Sequence, residues 1–457
     1  MKRTKLLVIG LDCAAPDLLF RKYAHRLPNL NRLRREGWWG EVRSCIPPIT
    51  VPAWMVMFSG REPGELGAYG FRSRIPGTYN GTRVVDSRSL RPPALWDRVM
   101  EEGGRCCLFA VPPSYPPYPV RGDLVSCFLT PGTDRPFTHP RGLAVEFEEQ
   151  GLAYVPDVEF RVEDKEGLLE ELRDMTRGHL EMAAYLAENR DWELLVMVEI
   201  GLDRVQHAFW RYQDPTHHLH EPGSPLSSVL EDYYALLDEG IGELLEACGP
   251  DTAVAVVSDH GAKGMKGAFC INQWLAESGY LHLARSPRRG TRIEEAEVDW
   301  SRTRAWAWGG YYARVFLNLE GREPEGVIPP QRYEEELEAL AEELSRIRGP
   351  NGEEWRTLVV RPREVYSRVE GDACDLMVFL DDLSWRAAGT LGHPGLYLEE
   401  NDTGPDDAVH DWNGVAILCH PEMDMRERLE GRFAAGGSVP RIRDLHAVFL
   451  DMMGLEA

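Results

Sequence analysis

Seven short runs dominated by Val, Leu, Ile and other apolar residues recur along the chain: KLLVIGLD, RCCLFAV, ELLVMVEI, TAVAVVSD, ARVFLNL, LMVFLDD and GVAILC. Continuous apolar runs of this length, separated by longer amphipathic segments, are what strands buried on both faces look like. They predict an α/β fold with a mostly parallel central sheet flanked by helices. Helices are expected over Glu166 to Asn189, Ser227 to Cys248 and Gln331 to Ile347, where apolar residues return every three or four positions. At 457 residues the chain is long enough for one large domain carrying a smaller inserted one, or for two or three average domains. Between about 286 and 385 the composition changes to charged, breaker-rich stretches such as RSPRRGTRIEEAEVDW and RGPNGEEW. We read 286–385 as an inserted α+β cap module and 1–285 with 386–457 as the catalytic core.

A formal charge of -23 makes the averaged surface repel nucleic acid polymers and anionic bilayers. A small anionic substrate therefore needs local positive charge, which bound metal ions can supply. The nine cysteines are scattered, form no C-x-x-C pair and mostly lie in apolar stretches, so buried free thiols in a reducing compartment are expected. The apolar run after the basic N-terminus is interrupted by Asp12 and is too short for a signal peptide; it reads as the first core strand. No other stretch is long enough to span a bilayer, and a soluble cytoplasmic protein is expected.

Three core runs end in acidic residues: Asp12, Asp203, and Asp259 followed by His260. Ligands gather at the carboxyl ends of strands in open α/β sheets, so these side chains can converge although the sequence scatters them. A lone Asp after a strand is ordinarily a helix cap or turn residue; three together, two with histidines nearby, point to a site. Asp203 and His207 stand four apart, on one face of a helix that begins near Asp203. Mixed Asp and His ligation suits zinc, manganese, iron or cobalt better than calcium. In CIPPITVPAW, Pro47, Pro48 and Pro52 place Thr50 at a helix N-terminus, where backbone N–H groups and the dipole favour a phosphate. The alternative there is simple N-capping by the threonine. The THHLH cluster (His217, His218, His220) reads as an exposed loop, and Trp54, Trp210, Trp306, Trp308 and Trp412 as packing residues.

Taken in order, GLD with Asp12, PPITVPAW with Thr50, LDRVQH with Asp203 and His207, SDHG with Asp259 and His260, and AVHDWNG with His410 resemble the alkaline phosphatase superfamily, in particular its type I phosphodiesterase and nucleotide pyrophosphatase branch. The resemblance extends through GAFCINQWL, FLNLEGREPEG and ENDTGPDDAVH. It implies one metal held by Asp203, His207 and His410, and a second held by Asp12, Asp259, His260 and the Thr50 oxygen. The pair, about 4 Å apart, would clamp the attacking and leaving oxygens of an in-line displacement. Zinc is expected first, manganese second. Thr50 would attack phosphorus to give a phosphothreonine, which water then hydrolyses. The implied activity is hydrolysis of a small phosphorylated substrate, by phosphodiesterase, pyrophosphatase or phosphatase action. A phosphomutase using the same phosphoenzyme is the alternative, and a non-catalytic binding protein the third. A sulfatase is disfavoured because CIPPI lacks the expected arginine and Thr50 cannot become formylglycine. Leu66-Gly67 departs from the histidine-glycine pair of many relatives, leaving Arg72 as the nearest candidate for a phosphate contact, with Lys263, and Lys266 beside it, as further substrate-binding candidates and His393 ranked below the six proposed metal ligands.

Overall fold

Residues 4–89, 93–433 and 439–456 are described by the computed structural model. Its central sheet has eight strands: β1 (Lys5–Leu11), β2 (Trp38–Arg43), β3 (Cys106–Phe109), β4 (Gly122–Val125), β5 (Thr138–His139), β6 (Leu194–Glu199), β7 (Thr252–Val257) and β8 (Asn413–Cys419). Their spatial order is β2-β8-β7-β1-β6-β3-β4-β5. The five inner strands from β7 to β4 are mutually parallel, whereas β8 runs antiparallel to β7 and β2, and β5 antiparallel to β4. In β1, Leu7 and Ile9 enter one hydrophobic cluster while Leu6 and Val8 enter another. Successive side chains of a strand leave on opposite faces, so an unbroken apolar run is the pattern a strand needs when both faces are covered. Each such fully buried aliphatic side chain contributes about 1.5–3 kcal/mol.

The covering helices divide accordingly. α1 (Thr50–Ser59) packs on one face, and α2 (Lys165–Asn189), α3 (Gly201–Gln213) and α4 (Val229–Cys248) on the other. α1 starts after Pro47 and Pro48 with Ile49 at its N-cap, buries all ten residues, and stops at Gly60 in the left-handed region, φ 67°. Gly10 lets β1 approach this helix. A Cβ there would lie 2.5 Å from Trp54 Cη2 and 2.9 Å from Val198 Cγ2.

Two of the seven apolar runs do not join the central sheet. ARVFLNL and LMVFLDD supply Ala313–Leu317 and Leu376–Phe379, inner strands of a four-stranded antiparallel sheet with Ala305–Trp308 and Leu358–Val360 at its edges. GVAILC joins the central sheet but antiparallel. The two runs of the second sheet fall within 286–385, and apolar content encodes burial while leaving strand direction to the connections. The second sheet carries α5 (Tyr333–Ser345) and is tied to the segment after α1 by Arg74, buried between Glu323 and Asp372. The three expected helices all form; the second and third are shortened where 3-10 turns at Pro225–Ser228 and Pro330–Arg332 precede them.

Candidate active site

The strands β7, β1 and β6 are immediate neighbours, so their carboxyl ends bring Asp259 and His260, Asp12, and the start of α3 to one place. Asp203 is the third residue of α3 and His207 lies one turn further on. His410 arrives on the Ala408–Asp411 strand, antiparallel to Gly261–Gly264 and opposite Ala262. Thr50 approaches from the far side at the first position of α1.

All seven side chains are buried. Thr50 Oγ1 lies 3.4 Å from Asp12 Oδ1 and 3.3 Å from His260 Nε2. With Ile49 at the N-cap and no capping side-chain bond there, Thr50 is not consumed in capping. His260 Nε2 is 3.1 Å from Asp259 Oδ2, and Asp203 Oδ1 is 3.3 Å from His207 Nε2 and 3.7 Å from His410 Nε2. Ligand atoms of Asp12, Asp259 and His260 fall within 4.8 Å of one another, as do those of Asp203, His260, His410 and Cys13.

This arrangement fits metal ions. Asp203 Oδ1 and Asp259 Oδ2 are buried and accept no hydrogen bond among the described residues, which in a protein interior demands a partner. The histidine Nδ1 atoms are already engaged: His207 donates to Asp406 Oδ1 at 2.7 Å, His410 to the Pro48 carbonyl at 2.7 Å and His260 to the Gly261 carbonyl at 3.2 Å. Each imidazole thereby presents Nε2 to the cluster, the tautomer and orientation that a ligating histidine requires. Trp54 is a packing residue, and its indole N–H also fixes Asp12, donating to Oδ2 at 2.7 Å. Arg204 bonds Asp203 Oδ2 at 2.8 Å and leaves Oδ1 free.

The electrostatics agree. Burial and then the charge of Asp203 push the Asp12 carboxyl well above the usual range, and burial followed by Asp12 does the same to Asp259. Burial lowers the His260 imidazole to about 4. For His207 burial is outweighed by Tyr311, Asp406 and Asp203, which raise it well above its ordinary value. Crowded carboxylates and the neutral imidazoles of His260 and His410 leave a low-dielectric cage short of positive charge, which His207, drawn toward its charged form, makes up only in part.

Several residues here had no signal of their own in the sequence. Asp406 holds His207 and is itself held by Arg161 at 2.9 Å and Arg386 at 2.6 Å. Tyr311, from the loop between two strands of the second sheet, stacks on His410 at 3.8 Å and places its hydroxyl 3.2 Å from His207 Nε2. Cys13, expected only as a buried thiol, lies among the ligand atoms. The Asp pair in GPDDAVH, four residues before His410, was the one local hint of Asp406.

The two substrate-contact candidates lie outside this cluster of seven. Lys263 pairs with Asp411 at 3.0 Å and donates to the Asp382 carbonyl at 2.6 Å. It opposes Val409 in the ladder where Ala262 opposes His410, so alternation turns it away from the histidine. Arg72 is exposed on the Arg72–Arg74 strand beside the second sheet. Lys266 is solvated and paired with Asp381, and His393 bonds Thr390. In the histidine cluster, His217 is buried where an exposed loop was expected, because its Nε2 donates to the Asp407 carbonyl at 3.0 Å and ties the loop to the segment before His410.

The sequence profile of the type I phosphodiesterase/nucleotide pyrophosphatase family matches residues 6–406. The chain belongs to that family. As a type I phosphodiesterase/nucleotide pyrophosphatase family member, within the alkaline phosphatase superfamily, it is a phosphoric ester hydrolase of a metal-dependent kind. Among solved structures, it is similar to phosphonoacetate hydrolase from Sinorhizobium meliloti 1021 in complex with phosphonoacetate, with a TM-score of 0.63 and 15% identity, covering 99% of this chain and 96% of that one. It is also similar to murine ectonucleotide pyrophosphatase/phosphodiesterase 5, solved as an inactive threonine-to-alanine variant with AMP, with a TM-score of 0.57, 13% identity and the same coverage. At these identities the likeness establishes the fold. No curated protein sequence matches. No helix among the described residues is long and apolar enough to cross a membrane.

Proposed function

We propose that this family member hydrolyses phosphodiester or pyrophosphate bonds in a small phosphorylated substrate through a phosphothreonine at Thr50. Asp203, His207 and His410 would hold one divalent ion, and Asp12, Asp259 and His260, with the Thr50 oxygen, the other. The observation that carries this reading is the position of Thr50 Oγ1, spared from capping and set between Asp12 and His260 in a cluster where Asp203 and Asp259 each keep a buried oxygen that accepts no hydrogen bond. Three carboxylates and three imidazoles suit zinc first and manganese second.

When bound, the ions supply the positive charge that stabilises the attacking and leaving oxygens. The protein's part is positioning. α1 presents the Thr50 hydroxyl with its N-terminal dipole behind it, which favours the phosphoryl group. Thr50 Oγ1 forms a bond to phosphorus as the ester oxygen departs in line, and water attacking from the vacated side restores the threonine. Asp406, Trp54 and Arg204 keep His207, Asp12 and Asp203 from rotating out of this geometry. The inactive threonine-to-alanine variant of the murine neighbour supports the nucleophile assignment. The inserted segment, 286–385, acts as a cap that sets specificity, supported by the reach of Tyr311 into the site. The unpaired cysteines support a cytoplasmic location.

Burial favours a second reading. With Thr50 only 2% exposed, a site that keeps water from the phosphothreonine would return the phosphoryl group to another oxygen of the bound molecule, as a phosphomutase does. Metal-stripped protein reloaded with zinc, manganese or magnesium, assayed on aryl phosphate monoesters and diesters with Thr50→Ala alongside, tests both. Metal-dependent turnover that disappears in the variant supports the hydrolase; isomerised product without free phosphate selects the mutase. No metal uptake at all sinks both.

A further inference from the structure

Beside the second sheet lies a cavity of about 510 Å³, within the range of small-molecule pockets. Four arginines line it: Arg72, Arg292, Arg314 and Arg386. Among the described residues, the first three have no carboxylate partner; the Arg314 guanidinium donates only to the Arg72 carbonyl and lies 5.0 Å from the Trp308 ring centroid. That is unusual company in a chain of net charge -23. Of the acids on the wall, Asp402 is engaged by the Thr390 N–H and hydroxyl, and Glu294 and Glu295 are solvent-exposed.

Two buried donors on this wall lack acceptors. Arg386 is 5% exposed and its Nε has no partner; Trp308 is 6% exposed and its indole N–H has none either. Both N–H atoms are closed off behind the wall, so it is the unpaired guanidinium groups lining the cavity that call for an acceptor with negative charge. The cavity also adjoins the chemistry. Arg386 Cζ lies 4.3 Å from the centroid of the Tyr311 ring, which stacks on His410, and Arg386 Nη1 pairs with the Asp406 that holds His207. One aromatic ring thus links this wall to the proposed metal ligands.

We propose that this cavity is the leaving-group subsite and that it takes a second anionic group of the substrate, a carboxylate or phosphate, against Arg314 and Arg386. The assignment rests on the hydrolase reading and narrows it to esters whose departing portion carries its own negative charge.

The test uses two diesters whose leaving phenols are nearly equal in acidity: methyl 4-(carboxymethyl)phenyl phosphate and methyl 4-methylphenyl phosphate. In the metal-loaded protein the carboxylated ester should have the higher kcat/KM by about tenfold or more, the effect of one charge-assisted contact. In Arg314→Gln the ratio should fall toward one. Because each ratio is taken within one protein, loss of folded material cancels. A ratio near one in the parent, or one that Arg314→Gln leaves untouched, overturns the proposal. So does inorganic phosphate that alters turnover of the 4-methylphenyl ester without competing with the carboxylated one, since the cavity would then hold a free anion. Calorimetric binding of both esters to metal-loaded Thr50→Ala separates the two readings. Tighter, Arg314-dependent binding of the carboxylated ester without turnover by the parent keeps the subsite and removes the hydrolase; turnover without preference for the carboxylate does the reverse.

Discussion

At the scale of single residues, the site separates groups that react from groups that aim them. Thr50→Ala removes the proposed nucleophile and should lower hydrolysis by at least about a thousandfold, while metal binding stays within a few-fold because six other donors remain; kinetics and metal titration of one preparation check both halves. Asp406 touches no substrate in this scheme, yet it fixes His207 and accepts from Arg386 and Arg161. Asp406→Asn should therefore weaken metal affinity by about 10- to 100-fold, measured by competition with a chromophoric chelator. Unchanged affinity would show that His207 needs no such support.

At the scale of elements, the site depends on how closely β1 and α1 approach. Gly10→Ala puts a methyl group 2.5 Å from the fully buried Trp54. The substitution should destabilise the protein by about 1–3 kcal/mol, read as a shift in urea midpoint, and move the indole N–H away from Asp12. The turn from β6 into α3 is held differently. Glu199 Oε1 accepts from the Gly201 N–H and the Thr176 hydroxyl, and Oε2 pairs with His179 Nδ1 at 2.8 Å; His179 Nε2 donates to the Val155 carbonyl, so both ring nitrogens face acceptors. Burial disfavours both charges, but the attraction wins: His179 is raised from 6.5 and Glu199 lowered from 4.5. The His179 contribution to stability is full below pH 6.5 and lost as pH rises through its higher native value. That of Glu199 is full above pH 4.5 and lost as pH falls through its lower native value. His179→Leu should cost about 3–5 kcal/mol, and the stability gap from the parent should be widest between pH 4.5 and 6.5. Denaturant titrations across pH test this; a gap indifferent to pH means that the pair is not ionised.

At the scale of the whole molecule, the proposed metal ions serve folding as well as chemistry. They would bind the native cage and not the unfolded chain, and at free metal a hundredfold above Kd that linkage adds about 2.7 kcal/mol per ion. Chelation should lower the thermal midpoint and added zinc should restore it. Identical scans with and without chelator would count against the two-ion centre. The same scale governs access, because the second sheet delivers Tyr311 to the ligands and supplies Trp308 and Arg314 to the adjoining cavity.

Read alone, the sequence determined the α/β class, the family and the identity of the seven clustered side chains. Runs such as KLLVIGLD and TAVAVVSD state their burial directly, and a strand that ends in an acid at a sheet's carboxyl edge is a local pattern. It did not determine that GVAILC would run antiparallel, or that Asp406, Tyr311 and Arg386 would stand around His207 and His410. Those depend on contacts between segments far apart in the chain, as between His207 and Tyr311, and periodicity within a segment carries no record of its partners. Only the tertiary structure, by placing β7, β1 and β6 side by side and bringing the second sheet over their ends, decided which charges meet.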